Sequence, residues 1–320
     1  MTTYSVLVPF AHCRPERTLP FAAFVQWSRA LRLWLAQGDG GDPHQTVAFA
    51  AASGFRVPVG TGVRLMPHRH PFTAAQETQA LAVAAGHPVV AGFGPGASVL
   101  QQALLGAPYA SPLGAAREYL TVVRGLLAGE EVEHRGEYYT CLARLPSVPS
   151  PPVEVGLGVL RPAMARLAGE VADVAVSWLT PAAYLREVVV PALRAGAEAR
   201  ARPVPRLVAV VSTALERSGR DVGELVLAAH THHLRMPHYA DMLRRAGVAV
   251  DRADLTAAAE AVVKGGAFLS GTAGHLAEQL AEFRDAGVDE VVLNVSGVYA
   301  AAGGRAALEE LDELLREAVP

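Results

Sequence analysis

Several features that would point to other classes of protein are scarce in this chain. Of 320 residues only two are cysteine, Cys13 and Cys141. They lie far apart and show no metal-ligand spacing, so we expect reduced thiols and no metal site. Charged residues make up 18% and the net charge is −3, without a basic run. A nucleic acid is therefore not expected as a partner.

Long apolar runs are also missing. No run approaches the roughly 20 residues that cross a bilayer. The first ten residues, MTTYSVLVPF, lack the charged region and apolar core of a signal peptide. We therefore expect a cytoplasmic protein without a membrane partner.

Common catalytic motifs are absent as well. The sequence has no GxSxG elbow, no Walker-type phosphate loop and no HExxH pair. His230, His232, His233 and His238 lie close together, but no carboxylate or cysteine completes a metal motif around them. We interpret the four as a surface cluster.

What the chain does have is apolar strands that alternate with helices. Hydrophobic residues make up 51%, enough for a large core. Eight candidate strands occur, at 5–9, 31–36, 55–63, 88–91, 153–155, 174–177, 207–211 and 288–295. This alternation predicts parallel βαβ units that close into a (β/α)8 barrel, a single domain over residues 1–320. Residues 222–268 fit the alternation poorly and are predicted to be an insertion before the last βα unit.

Glycines cluster where three of these strands end, which is where an α/β barrel holds its chemistry. Glycine lets a backbone approach a flat ring or a phosphate, although a plain tight turn uses it too. The third of these glycine-containing strand ends, at Gly156–Gly158, is followed by Pro162, a favourable first residue of a helix. The backbone N–H groups of this turn and the Arg161 side chain could therefore bind an anion. The candidate cofactor-binding residues are Thr61, Gly62, Gly92, Phe93, Gly94, Pro95, Gly96, Gly156, Leu157, Gly158, Val159, Leu160 and Arg161.

Polar and aromatic residues beyond the strands are candidates for the substrate side. Gln37 follows the second strand, His68 the third, and Trp178 and Thr180 the sixth. Core packing or helix capping would explain Trp178 and Thr180 equally well. His68 and His12 are the candidate proton donors, with a bound water as the alternative.

Five segments together resemble a known family. They are GTGVRLMPHRHP with GFGPG after it, AAREYLTVVRGLLAGEEVEHRGEYY, PVEVGLGVLRP and SGTAGHLAEQLAEFRDAGVDEVVLNV. In this order they look like the bacterial luciferase-like superfamily, over about Leu31 to Val295. A narrower likeness is to the deazaflavin-dependent reductases of lanthipeptide maturation, which reduce dehydroalanine.

The resemblance implies an α/β barrel that binds FMN or coenzyme F-420 and pairs into a homodimer. It places the cofactor phosphate at the Gly156–Arg161 turn, and the ring over the third strand, where family members have a bulge or an unusual peptide. Two departures stand out. Gln37-Gly38 replaces a Glu-His pair, which removes a candidate acid, and Pro95-Gly96-Ala97 replaces a loop that often contains tryptophan.

The expected function is hydride transfer from reduced coenzyme F-420 to an electrophilic carbon, such as the β-carbon of an unsaturated amide in a small molecule or a peptide. Orientation and exclusion of water would be the protein's tasks. An FMN-dependent monooxygenase and a non-catalytic flavin-binding barrel are the alternatives.

Overall fold

The computed structural model describes residues 2–11, 14–37 and 40–318. The strands are β1 (Thr3–Leu7), β2 (Leu33–Leu35), β3 (Val59–Leu65), β4 (Val89–Gly94), β5 (Val132–Arg135), β6 (Thr140–Ala143), β7 (Val153–Gly158), β8 (Val174–Trp178), β9 (Arg206–Leu215), β10 (Phe268–Gly271) and β11 (Glu290–Asn294). The helices are α1 (Leu19–Trp27), α2 (Pro43–Ala52), α3 (Pro71–Ala85), α4 (Ser98–Leu105), α5 (Pro112–Leu127), α6 (Pro162–Val171), α7 (Ala182–Tyr184), α8 (Val190–Glu198), α9 (Val222–Arg235), α10 (Pro237–Arg245), α11 (Leu255–Lys264), α12 (Ala273–Asp285) and α13 (Ser296–Ala318). Short 3-10 helices span Pro15–Thr18 and Met66–His68, and a π-helical turn, Leu185–Val189, joins α7 to α8.

Eight parallel strands close into a barrel, as predicted. Their order is β1-β2-β3-β4-β7-β8-β9-β11, and β11 pairs with β1 to complete the ring. The eight strands are the eight candidates of the sequence analysis, with shifted ends. Because helices cover the outside, β9 and β11 are buried almost throughout.

The predicted insertion is present, and its first helix packs against α13. It begins with α9 and continues through α10 and α11 to β10. Strand β9 is ten residues long, and its last four, 212–215, pair with β10 outside the ring. The insertion is therefore attached to the barrel by strands at both of its ends.

Six of the helices begin at a side chain that accepts a hydrogen bond from a backbone N–H of the first turn. Asp42 caps α2, and Thr272 caps α12 by accepting from the N–H of His275. Of the roles left open for Thr180, helix capping is wrong: α7 begins at Ala182, and the Thr180 hydroxyl donates to the carbonyl of Trp178 at 3.0 Å. None of the described helices is long and apolar enough to span a membrane.

The amino end of the barrel is closed by a buried carboxylate. Glu290 is fully buried and accepts hydrogen bonds from the Ser5 hydroxyl and the Trp34 indole, both at 2.7 Å. Arg32 lies 2.9 Å from the same carboxylate, and Arg206 lies 3.4 Å from it. Two cations and two neutral donors thus balance one buried charge.

Candidate functional site

The carboxyl end of the barrel has an apolar floor. Apolar side chains fill the inside of the barrel. At its carboxyl end, three partly exposed ones pack on them: Ala36, Val63 and Trp178, near the ends of β2, β3 and β8. The Gly62–Val63 peptide is cis, and the register of β3 against β4 shifts between Thr61 and Arg64. The irregularity that the family resemblance implies for the third strand is therefore present, and Val63 lies within it.

Nearby glycines make room for this irregular strand. A Cβ on Gly92 would lie 2.3 Å from the carbonyl oxygen of Thr61. On Gly94 it would lie 2.9 Å from Val63, and on Gly158 3.3 Å from the same side chain. The close approach inferred from the sequence occurs here between strands of the barrel, and it fixes the floor beneath any ligand.

The side chains of Thr61 and Phe93, two of the predicted cofactor contacts, do not face the carboxyl end of the barrel. Thr61 is 1% exposed, and its hydroxyl accepts from the N–H of Gly92 at 3.1 Å, inside the seam between β3 and β4. The ring of Phe93 packs against Tyr119 on α5, outside the barrel. Of these two residues, only the backbone is left to face a bound ring.

The loop after β4 is held by a residue that the sequence analysis missed. The Gln101 amide, on α4, donates to the carbonyls of Pro95 and Gly96, both at 2.9 Å, and its oxygen accepts from the N–H of Tyr109. Gly96 has a φ of +72°, a conformation that favours glycine. The only sign in the sequence was a glutamine in a short apolar helix.

The turn between β7 and α6 presents backbone donors. In the described part of the chain, the N–H groups of Leu160, Arg161 and Ala163 have no acceptor. Pro162 is the first residue of α6, and the half-exposed Arg161 side chain precedes it. Unpaired N–H groups, a helix N-terminus and a guanidinium are together suited to a phosphate. Side chains of Leu157 and Val159 are buried.

Two of the histidines on α9 do not form part of a surface cluster, whereas His232 is exposed. His230 is fully buried, and its Nε2 lies 2.7 Å from the Ser212 hydroxyl, which accepts from the Asn294 amide at 3.1 Å. His233 stacks on Trp178, with ring centroids 5.5 Å apart and 21° between the planes. The surface interpretation is therefore wrong for these two. Within the described residues, no three side chains are grouped to hold a metal ion.

Burial keeps His230 and His233 uncharged, and several polar atoms around them have no hydrogen-bond partner. It lowers the pKa of His233 to about 4 and that of His230 well below its usual value. Among the buried atoms that lack a hydrogen-bond partner, four lie in this region: Trp178 Nε1, His230 Nδ1, His233 Nδ1 and Thr213 Oγ1. Each such atom costs about 1–3 kcal/mol unless a ligand or water satisfies it. Ser212 and Thr213 directly follow the predicted strand at 207–211, and Asn294 lies near the end of the one at 288–295. Nothing in the sequence indicates that α9 lies beside them.

The remaining candidates are dispersed. Gln37 accepts from the N–H of Leu65 at 3.0 Å and so links the ends of β2 and β3. His68 is exposed at the end of the 3-10 helix at 66–68, and Thr180 is 4% exposed with its hydroxyl engaged. His12 lies outside the described residues. Of the four residues proposed for substrate, Trp178 is the one on the floor.

The sequence profile of the family described as luciferase-like monooxygenase matches residues 14–290. The chain belongs to this family. It is also 32% identical, over 179 residues, to an F-420-dependent glucose-6-phosphate dehydrogenase of Nakamurella multipartita, covering 53% of this chain and 52% of the relative. The chain spans about half the length of the curated relatives it matches.

Solved structures of the luciferase-like fold superpose over the whole chain. The coenzyme F-420-dependent tetrahydromethanopterin reductase of Methanopyrus kandleri has a TM-score of 0.77 at 19% identity, covering 100% of this chain and 98% of its own. The oxygenating constituent of 3,6-diketocamphane monooxygenase from Pseudomonas putida, in complex with FMN, has a TM-score of 0.75 at 16% identity, covering 100% and 98%. At these identities the likeness establishes the fold.

Proposed function

We propose that this luciferase-like protein binds coenzyme F-420 at the carboxyl end of its barrel and is a reductase. The supporting observation is that the apolar floor around Val63 adjoins the turn between β7 and α6. A Cβ on Gly158 would lie 3.3 Å from Val63, so the turn with unpaired N–H groups begins where the apolar floor ends. A ligand with a flat ring and a phosphate matches this order of apolar and anion-binding surfaces.

The parts of the site have distinct roles in this proposal. Val63 and Trp178 support the ring, and the turn at 158–161 with Arg161 binds the phosphate. Gln101 keeps the loop after β4 in place at the rim. When bound in its reduced form, coenzyme F-420 supplies a hydride from C5 to an electrophilic carbon. The protein orients the acceptor and keeps water away from it.

Trp178 and His233 are proposed to face the acceptor. Because its pKa is about 4, His233 is neutral at pH 7 and is a poor acid there. A neutral imidazole and an indole N–H still donate hydrogen bonds, which would polarise a carbonyl conjugated to the acceptor carbon. The proton that follows the hydride is then assigned to His68, His12 or a bound water.

The acceptor we propose is a carbon–carbon double bond activated by a carbonyl. Dehydroalanine in a lanthipeptide precursor is one instance, supported by the narrower sequence likeness; a small unsaturated amide is another. We further propose that the protein acts in the cytoplasm as a homodimer. Sedimentation at several protein concentrations would test the homodimer.

The alternative is an FMN-dependent monooxygenase, which the FMN-bound structural neighbour favours. Titration of the purified protein with each cofactor, followed by cofactor fluorescence, separates the two. We expect saturable binding of coenzyme F-420 and much weaker binding of FMN. Reduced F-420 should then be oxidised upon addition of a dehydroalanine amide. Tight binding of FMN without binding of F-420 would refute the proposal. Binding of F-420 without turnover on any unsaturated amide would favour a non-catalytic barrel.

A further inference from the structure

Helix α10 of the insertion lies next to the turn between β7 and α6, to which we assign the cofactor phosphate. Asp241 on α10 accepts from Arg244 at 2.8 Å and from Arg245 at 3.0 Å, and its carboxylate lies 3.6 Å from Arg161. One carboxylate thus gathers three guanidinium groups from two separate parts of the chain. The cluster, which we call the Asp241 cluster, keeps an excess of positive charge.

A buried hydroxyl without a partner lies beside this cluster. Tyr184, on α7, is 4% exposed, and its hydroxyl has no hydrogen-bond partner among the residues described. Burial raises the pKa of Tyr184, and the charges of Arg245, Asp241 and Arg161 act on it. The hydroxyl therefore remains a donor at neutral pH. Such a donor is costly without an acceptor, and an anion held by the arginines would supply one.

The Asp241 cluster continues into a surface groove. The groove has a volume of about 610 Å³, and its lining includes Asp241, Arg244, Asp251 and Arg252. Over cluster and groove together, four arginines face two aspartates. The cluster and the groove together therefore have an excess of two positive charges, beside the residue that precedes α6.

We infer that Arg161, Tyr184 and Arg245 form a subsite for carboxylate groups attached beyond the phosphate of the cofactor. The inference rests on the proposed function. Coenzyme F-420 has a chain of linked glutamates after its phosphodiester, whereas FMN ends at its phosphate. The subsite gives this chain a means of distinguishing the two cofactors that does not involve the ring. Because it adjoins the α6 N-terminus, it takes the cofactor tail and not the acceptor.

Affinities for two forms of the cofactor test this subsite. The full-length protein is titrated with F-420 that carries several glutamates and with the form that carries none, each at low and at high salt. We expect roughly tenfold tighter binding of the form with glutamates, and a smaller advantage at high salt. The measurement is cofactor fluorescence, which requires no substrate.

Two variants and a matched control locate the effect. Arg245→Gln should weaken binding of the glutamate form roughly three- to tenfold and leave the other form unchanged, and Tyr184→Phe should act in the same direction. Arg305→Gln is the control, because Arg305 also forms an i,i+4 ion pair, with Glu309, but on α13. It should change neither affinity. Circular dichroism of each variant checks that the fold is intact.

The outcomes separate the two proposals. Equal affinity for both forms in the wild-type protein, or no effect of Arg245→Gln, overturns the subsite while the binding of F-420 stands. An equal loss for both forms in Arg245→Gln places that residue on the phosphate and also overturns it. If neither form binds, the proposed function and the subsite are both overturned.

Discussion

The two ends of the barrel surround their buried polar groups differently. At the amino end, Glu290 has two hydrogen-bond donors and two arginines around it, although Nε and Nη1 of Arg32 make no hydrogen bond. At the carboxyl end, Trp178, His233 and Thr213 each bury a polar atom without a partner. Native proteins pair most of their buried polar groups. Several unpaired ones in the same region therefore indicate that a hydrogen-bonding partner, such as a ligand, binds there. We infer that the charges at the amino end stabilise the fold, and we expect a ligand at the carboxyl end.

The largest expected effect is at the amino end. Glu290→Leu removes the carboxylate and leaves Arg32, 7% exposed, as a buried cation without its counterion. Loss of one partner of a buried ion pair costs about 3–5 kcal/mol. Urea unfolding should show this loss in the free energy of unfolding. Glu313→Leu removes the partner of Arg217 from an exposed pair and should cost under about 1 kcal/mol. Similar losses in both variants would contradict the role of Glu290.

The next effect concerns the floor. Gly92→Ala places a methyl group 2.3 Å from a backbone oxygen of β3, which cannot move without displacing Val63. We expect a loss of about 3 kcal/mol in stability, together with weaker cofactor binding. Gly274→Ala in α12 is the control, since nothing lies within 4 Å of the added methyl; it should gain about 0.5–1 kcal/mol. If Gly92→Ala were neutral, the tight seam between β3 and β4 would be refuted.

A pair of threonines compares satisfied and unsatisfied hydroxyls directly. Both Thr61 and Thr213 are 1% exposed, but only the hydroxyl of Thr61 has a partner. Thr61→Val should cost about 1 kcal/mol, because it removes the acceptor of the Gly92 N–H. Thr213→Val should be neutral or stabilising. Thermal unfolding of the two variants measures this difference, and the reverse order would contradict the contrast between the two hydroxyls.

The smallest effect at neutral pH is expected at His233. Its folded pKa of about 4 lies below the unfolded value of about 6.5, so the unfolded chain binds the proton first as the pH falls. Stability should therefore decrease between pH 6.5 and 4, by up to about 1.4 kcal/mol per pH unit. His233→Phe keeps the stacking on Trp178 and should remove this part of the decrease, with little change at pH 7. Identical pH profiles for variant and wild type would refute the buried, neutral His233.

The fold could be predicted largely because each barrel strand is a short apolar run between helices. The candidate site was only partly predictable. The glycines at 60, 62 and 92 do mark a close approach, but sequence spacing cannot say whether strand or ligand approaches. The α9 histidines were misjudged because helical periodicity does not reveal that α9 lies against the end of β8. Gln101 was missed because its role depends on a loop it contacts only in the folded chain.

The pairing of residues 212–215 of β9 with β10 bears on how a ligand can enter and leave the barrel. Because residues 212–215 pair with β10, the insertion from α9 to β10 is joined to β9 at both of its ends. We therefore expect the insertion to move little with respect to the barrel. Traffic to and from the barrel is then expected on the opposite side, past β2 and β3, where Gln37 and the 3-10 helix at 66–68 form the rim.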